Sequence, residues 1–375
     1  MRKVLTLVLV GAVVAAGVFA ATRPRSTDGP PSGVITRWET MGKAQGLPDD
    51  RVFAVLVAPE GVWAGTEHGI ALVRDGKVVR TYGEADGISF PVVTSLCRDP
   101  GSGTVYAGTL RGVTEIRDGK ATAIRQAPDG LINDVVYSVL AQDGNLWCAT
   151  AAGLSRRDGV TGTWETWTEK NSPMKEIWCY SVCEGDGKVY CAIWGSGVLE
   201  RDLATGHWNL YNDPDRDMRF DLFKDDGVLS DVVVGVSSAQ GSLWAMSYLG
   251  LSRYDGRNWK TWVAEDSGIA SSFLSSGRAH GPEFWPCTDK GLSQFDGKRW
   301  VTYRRAAKGG EIRVTPAGAG PDAGVSYPTE TSLPDDFVWS VDFDGRDVWV
   351  GTARGLAHGF RNGPGPVETA ERGPK

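Results

Sequence analysis

Trp63-Ala64-Gly65-Thr66-Glu67-His68-Gly69 sets an aromatic residue six positions before a glycine, and the pattern returns along the whole chain. It recurs, with a gap of six or seven, at 106–112, 147–153, 190–197, 244–250, 285–291 and 349–355. The repeat glycines step by 43, 41, 44, 53, 41 and 64 residues. A period of about forty with two insertions suits a four-stranded blade repeated around an axis.

Each unit reads as four short strands. Upstream of the aromatic lies an apolar run such as Val52-Phe53-Ala54-Val55-Leu56-Val57 or Val135-Val136-Tyr137-Ser138-Val139-Leu140, the expected innermost strand. Gln142-Asp143-Gly144-Asn145 then turns the chain, because Asp, Gly and Asn tolerate the positive φ that tight hairpins demand. The repeat glycine marks the next turn. A third strand follows, as in Gly250-Leu251-Ser252-Arg253-Tyr254, and a fourth begins with Trp259-Lys260-Thr261-Trp262. The seventh unit lacks a fourth strand, whereas Arg37-Trp38-Glu39-Thr40 before the first unit matches that strand's pattern. The expected fold is therefore all-β: a seven-bladed β-propeller with four-stranded blades, closed by an N-terminal strand in the last blade. Closure of this kind hides sheet edges that would otherwise stay open.

Gly46-Leu47-Pro48-Asp49-Asp50, Val62-Trp63-Ala64-Gly65-Thr66, Gly69-Ile70 and Asp75-Gly76 together resemble the bacterial two-component regulator propeller repeat. Gly130-Leu131-Ile132-Asn133-Asp134 with Leu146-Trp147-Cys148-Ala149-Thr150, and Leu333-Pro334-Asp335-Asp336 with Val348-Trp349-Val350-Gly351-Thr352, repeat the likeness, which covers about residues 34–362. The resemblance implies a periplasmic, sensor-like propeller that binds a ligand, often a saccharide. The chain departs from the family's usual arrangement in carrying no kinase core, which puts direct signalling by it in doubt.

Arg2-Lys3 and the apolar run 4–21 have the charge and length of an export signal, and the run also reaches the lower limit for an uncleaved membrane anchor. Residues 22–33 read as a structureless linker, 34–362 as the propeller with insertions at 213–226 and 304–332, and 363–375 as a disordered tail. The expected location is periplasmic or extracellular, with membrane contact only through the N-terminal run. A net charge of -6 and the lack of any basic run give no electrostatic footprint for nucleic acid.

Ligand contacts are expected on the face carrying the second-to-third-strand turns and the blade crossings, where the scaffold repeats but the residues vary. The candidates are Arg51, Glu67, His68, Arg111, Trp178, Trp194, Tyr248, Asp289, Lys290 and Arg354. Eleven of the fifteen tryptophans occupy repeated strand positions and read as core. No metal-ligand spacing, cofactor motif or catalytic residue is assigned. Only Glu67/His68 and His280/Glu283 approach an acid/base pair, and neighbours on a hairpin tip usually point apart. The 304–332 insertion, with Pro316-Ala317-Gly318-Ala319-Gly320-Pro321 at its middle, is expected to be disordered or a loose cover over the mouth. At most one disulfide is expected, Cys183 with Cys191 across the first hairpin of its unit. The leading expectation is recognition of a saccharide, peptide or envelope protein; the alternatives are a propeller lyase or hydrolase at the same mouth and an envelope scaffold.

Overall fold

The computed structural model describes residues 25–26, 28–125, 129–214 and 225–363. The repeat glycine decides the unit's shape. Gly69 has φ +130°, and a Cβ there would sit 2.5 Å from the carbonyl oxygen of Tyr82 on the outermost strand, so both conformation and space require glycine. Gly112, Gly153, Gly197, Gly250, Gly291 and Gly355 also have positive φ and meet the outer-strand carbonyl in the same way. In blade one Thr66 Oγ1 donates to Gly69 O (2.8 Å) and accepts from His68 N–H (3.2 Å), closing the turn. The same hydroxyl pattern recurs at Thr109, Thr150, Ser247, Thr288 and Thr352.

Blade one runs Val52–Ala58, Gly61–Thr66, Gly69–Arg74 and Lys77–Tyr82 from the axis outward. Six further antiparallel sheets repeat that order, giving the seven-bladed propeller expected. Ile35–Met41 pairs with Gly355–Arg361, Trp38 opposite Gly359, and supplies the outer strand of blade seven.

The core lies between blades. Leu56, Trp63 and Ile70 of blade one pack with Val93, Val105 and Ala107 of blade two, and each other junction holds an equivalent cluster. Inner strands are also laced together by side chains: Ser95 Oγ accepts from Val139 N–H (3.1 Å), Ser138 Oγ from Val182 N–H (3.3 Å) and Asp342 Oδ2 from Val57 N–H (2.8 Å). A buried network fastens the closing junction. Arg361 donates to both oxygens of Glu283 at 3.0 and 2.7 Å, and Trp285 Nε1 and Gln294 Nε2 donate to the same carboxylate. Tyr303 OH donates to Gln294 Oε1 (2.6 Å) and accepts from Ile35 N–H (3.2 Å), reaching the N-terminal strand.

Several expectations change. Residues 304–332 form no loose cover: Gly310–Pro316 pairs with Arg299–Tyr303 and Val325–Thr329 pairs with Gly310–Pro316, making blade six a six-stranded sheet. Apolar residues at alternate positions, Ile312 at 2% exposure and Val314, face the blade six–seven core, while the Pro/Gly-rich middle is merely the hairpin's turn. In the expected linker, Arg25 bridges Ser326 of that hairpin and Gly33 N–H bonds Asn362 O at 2.9 Å. All six cysteines are unbridged. Cys183 lies opposite Tyr190 and Cys191 opposite Val182, so the two thiols face opposite sides of the sheet. Burial raises the thiol pKa of Cys97, Cys148, Cys183, Cys191 and Cys287, which keeps these groups unreactive. The leader 1–21 and most of the 213–226 insertion and the 363–375 tail lie outside the described residues.

Candidate functional site: the mouth of the ring

Every inner strand carries a bulge at its entry, where the register with the second strand slips by one residue. The residues skipped by the pairing are Phe53, Thr94, Tyr137, Tyr180, Val234, Ser275 and Trp339, so four of the seven are aromatic and mark the mouth. Bulges re-aim side chains, and here they turn rings toward the neighbouring blade. Tyr137 stacks on Tyr180 (centroids 4.5 Å apart), Tyr180 meets Trp194 (5.6 Å), Trp194 meets Tyr248 edge-on (5.4 Å) and Tyr248 stacks on Phe273 (4.2 Å). This is a continuous arc of five rings spanning blades three to six. Burial raises the pKa of the Tyr248 hydroxyl, and burial with the neighbouring Tyr137 and Tyr248 raises that of Tyr180 to about 12, so both stay neutral donors. A second group, Phe337, Trp339 and Phe53, joins blades seven and one.

Trp178 stands beside the arc. Its carbonyl accepts from Trp194 N–H at 3.0 Å, while its side chain leaves the residue 50% exposed, the most exposed tryptophan of those described. Phe273 is 37% exposed at the arc's far end. On the blade-six tip, one carboxylate oxygen of Asp289 is out of solvent and accepts no hydrogen bond among the described residues. Lys290 and Arg111 are exposed and have no carboxylate partner among the described residues. Arg354 is held by Asp335 (3.1 Å).

Blade one contributes the charged corner. Asp49 Oδ1 accepts from Arg51 N–H (2.9 Å), which turns Oδ2 toward His68 Nδ1 at 3.0 Å and toward Lys43 Nζ at 3.6 Å. Burial pushes the Asp49 carboxyl pKa up, but the hydrogen bonds from Arg51 and His68, with the charges of His68 and Lys43, outweigh it and hold it low. Glu67 is ion-paired with Arg51. Asp49, Glu67 and His68 each offer a ligand atom within 4.8 Å of the others, a three-donor set of the kind that binds a divalent cation. Adjacent tip residues therefore do converge here, because Asp49 arrives from the crossing. Lys43 and Arg51 already balance both carboxylates.

The structure thus gathers Arg51, Glu67 and His68 at one corner and Trp194, Tyr248 and Trp178 along the arc. His280 and Glu283 fall elsewhere. His280 stacks on Phe343 and bonds Gly345 O at the opposite end of the inner strand, and Glu283 is committed to Arg361. Sequence reasoning missed Tyr137, Tyr180, Phe273, Phe53 and Phe337. Part of the signal was present as a column: Phe53, Tyr137 and Tyr180 each stand second in an inner strand, whereas Phe273 and Phe337 stand just before one.

No family model matches the chain, and no curated protein matches it in sequence. Solved structures do. The extracellular domain of a hybrid two-component system protein from B. thetaiotaomicron superposes with TM-score 0.62 at 16% identity, covering 86% of this chain and 42% of its own. A streptogramin B lyase superposes with TM-score 0.63 at 12% identity, covering 89% of this chain and all of its own. PorZ, a surface component of the type-IX secretion system of Porphyromonas gingivalis, gives TM-score 0.57 at 16% identity over 87% of this chain and 48% of its own. The chain spans about two-fifths of the two-component ectodomains it matches. At these identities the likeness is one of fold, shared by sensor ectodomains and propeller lyases alike.

Proposed function

We propose that the chain is an extracytoplasmic recognition propeller that binds a saccharide at its mouth, with sugar faces laid on the aromatic arc. The observation that carries this reading is the run of rings Tyr137, Tyr180, Trp194, Tyr248 and Phe273 across four blades. A five-ring arc on the variable face exceeds what a scaffold turn needs; its Phe273 end is open to contact, as is Trp178 beside it. Arg111 and Lys290, exposed on their tips, supply donors for hydroxyls at the rim. The likeness to extracellular sensor domains supports an exported role. Among the described residues no helix is long and apolar enough to cross a membrane. The test is a glycan-array screen of the full chain beside Trp178→Ala and Tyr248→Ala; binding that both substitutions weaken supports the reading, and binding that neither affects removes the mouth from it.

One observation favours a second reading, a lyase or hydrolase. His68 lies 3.0 Å from Asp49 at the same mouth, an arrangement that can hold and pass a proton. Turnover of a bound glycan or cyclic peptide that is lost in His68→Ala would establish it.

A further inference from the structure

The hairpin that widens blade six does more than cover an edge. A cavity of about 760 Å³ lies between its root and the crossing from blade five to blade six, lined by Gly268, Ile269, Thr302, Arg304, Arg305 and Lys308 together with hairpin residues. None of its lining residues belongs to the aromatic arc. Gly268 passes so close to this wall that a Cβ there would lie 2.5 Å from Trp300 Cβ and 2.7 Å from Thr315 Cβ, and Thr302 Oγ1 donates to its carbonyl at 2.8 Å. The crossing is thereby seated on the hairpin, and the cavity's floor is fixed.

The walls are cationic. Arg25, Arg304, Arg305, Lys308 and Arg313 line the cavity against only Glu311 and Asp322, in a chain whose net charge is -6. Glu311 is taken by Arg25 at 2.9 Å, and Arg313 donates to Pro321 O at 2.6 Å. Arg304, Arg305 and Lys308 have no carboxylate partner among the described residues. The segment is nonetheless held: the Arg304 guanidinium donates to Ala270 O (3.0 Å), Arg305 N–H to Asp336 Oδ1 (2.6 Å) and Ala306 N–H to Ser332 Oγ (2.9 Å). Arg304, Arg305 and Lys308 thus bring three cationic side chains to one cavity, where an anion can pair with them through charge-assisted hydrogen bonds. The volume lies within the range of small-molecule sites, roughly 300–1,000 Å³.

We propose that this cavity is a second binding site, for a small polyanion bearing carboxylate or phosphate groups, with Arg304, Arg305 and Lys308 as its charge clamp. Arg305 and Lys308 are exposed side chains, so neutralising them leaves the packing intact. Isothermal titration of the full chain would use citrate as the carboxylate probe, pyrophosphate as the phosphate probe and neutral cellobiose as control, against the unsubstituted protein, the double variant Arg305→Gln with Lys308→Gln, and Tyr248→Ala. The expected result is saturable one-to-one binding of citrate or pyrophosphate, weakened about tenfold or more by the double variant and unchanged by Tyr248→Ala. Citrate alone would identify a carboxylate ligand and pyrophosphate alone a phosphate ester. No heat with either probe at low salt, or binding that the double variant leaves unchanged, overturns the proposal, while failure of glycan binding at the mouth leaves it untouched.

Discussion

Replacing Arg361 by methionine removes one half of the ion pair that fastens the closing junction. The Arg361 side chain is fully buried and that of Glu283 is 8% exposed, with both guanidinium nitrogens on the two carboxylate oxygens at 3.0 and 2.7 Å. Arg361 also lies over the Trp285 ring, 4.9 Å from its centroid. Methionine keeps much of the apolar stem but leaves a desolvated carboxylate held only by Trp285 and Gln294. Breaking a buried pair from one side costs about 3–5 kcal/mol, a large share of the roughly 5–15 kcal/mol that holds a domain folded. The double change Glu283→Leu with Arg361→Met removes the stranded charge as well, and should recover about 2 kcal/mol or more of that loss. Equilibrium urea unfolding followed by tryptophan fluorescence measures both. If Arg361→Met costs under about 1 kcal/mol, or the double variant is as damaged as the single, the pair does not carry the junction's electrostatics.

Three other outcomes follow from the same geometry. Trp38→Ala removes a ring that is 5% exposed and edge-on to Tyr303 at 5.9 Å, so it should cost about 3–5 kcal/mol in urea unfolding, and deletion of residues 34–41 should expose blade seven to protease while blades two to four stay resistant. Burial holds the His358 imidazole pKa below its ordinary value against the pull of Asp347, so the native state binds its proton less readily than the unfolded chain, whose value is about 6.5. Stability from this site is complete above that value and falls as pH drops toward the native one; His358→Phe should flatten the decline in urea midpoint between about pH 7 and pH 5. Arg51→Ala frees Glu67, and the variant should bind Zn²⁺ about tenfold or more tightly than the parent by calorimetry, whereas equal affinity would show that Arg51 does not guard the Asp49, Glu67 and His68 donors.

The ring was legible because its determinants are local and repeated. Gly69 and its six counterparts answer to one steric demand, and Trp63, Trp147, Trp244, Trp285 and Trp349 fill equivalent wedges, so each copy reinforces the others. Trp38 was legible for the same reason, since it carries an outer-strand pattern in a place without its own blade. The mouth was less so. Phe53, Tyr137 and Tyr180 read as ordinary strand residues, because a bulge changes where a side chain points without changing the residue type. His280 and Glu283 face each other at a first-hairpin turn, the end of the inner strand away from the mouth, and bond elsewhere. The hairpin of residues 310–329 was hidden by its turn, whose Pro and Gly outweighed the short alternation at Ile312 and Val314.

The account stands most directly on whether the arc of rings is a binding surface. The decisive measurement is a tryptophan-fluorescence titration of the full chain with the oligosaccharide that binds best on a glycan array, repeated with Tyr248→Ala. A saturable change in the parent that weakens about tenfold or more in the variant is the predicted result. A folded parent that binds no arrayed glycan, or a variant that binds as tightly as the parent, contradicts it.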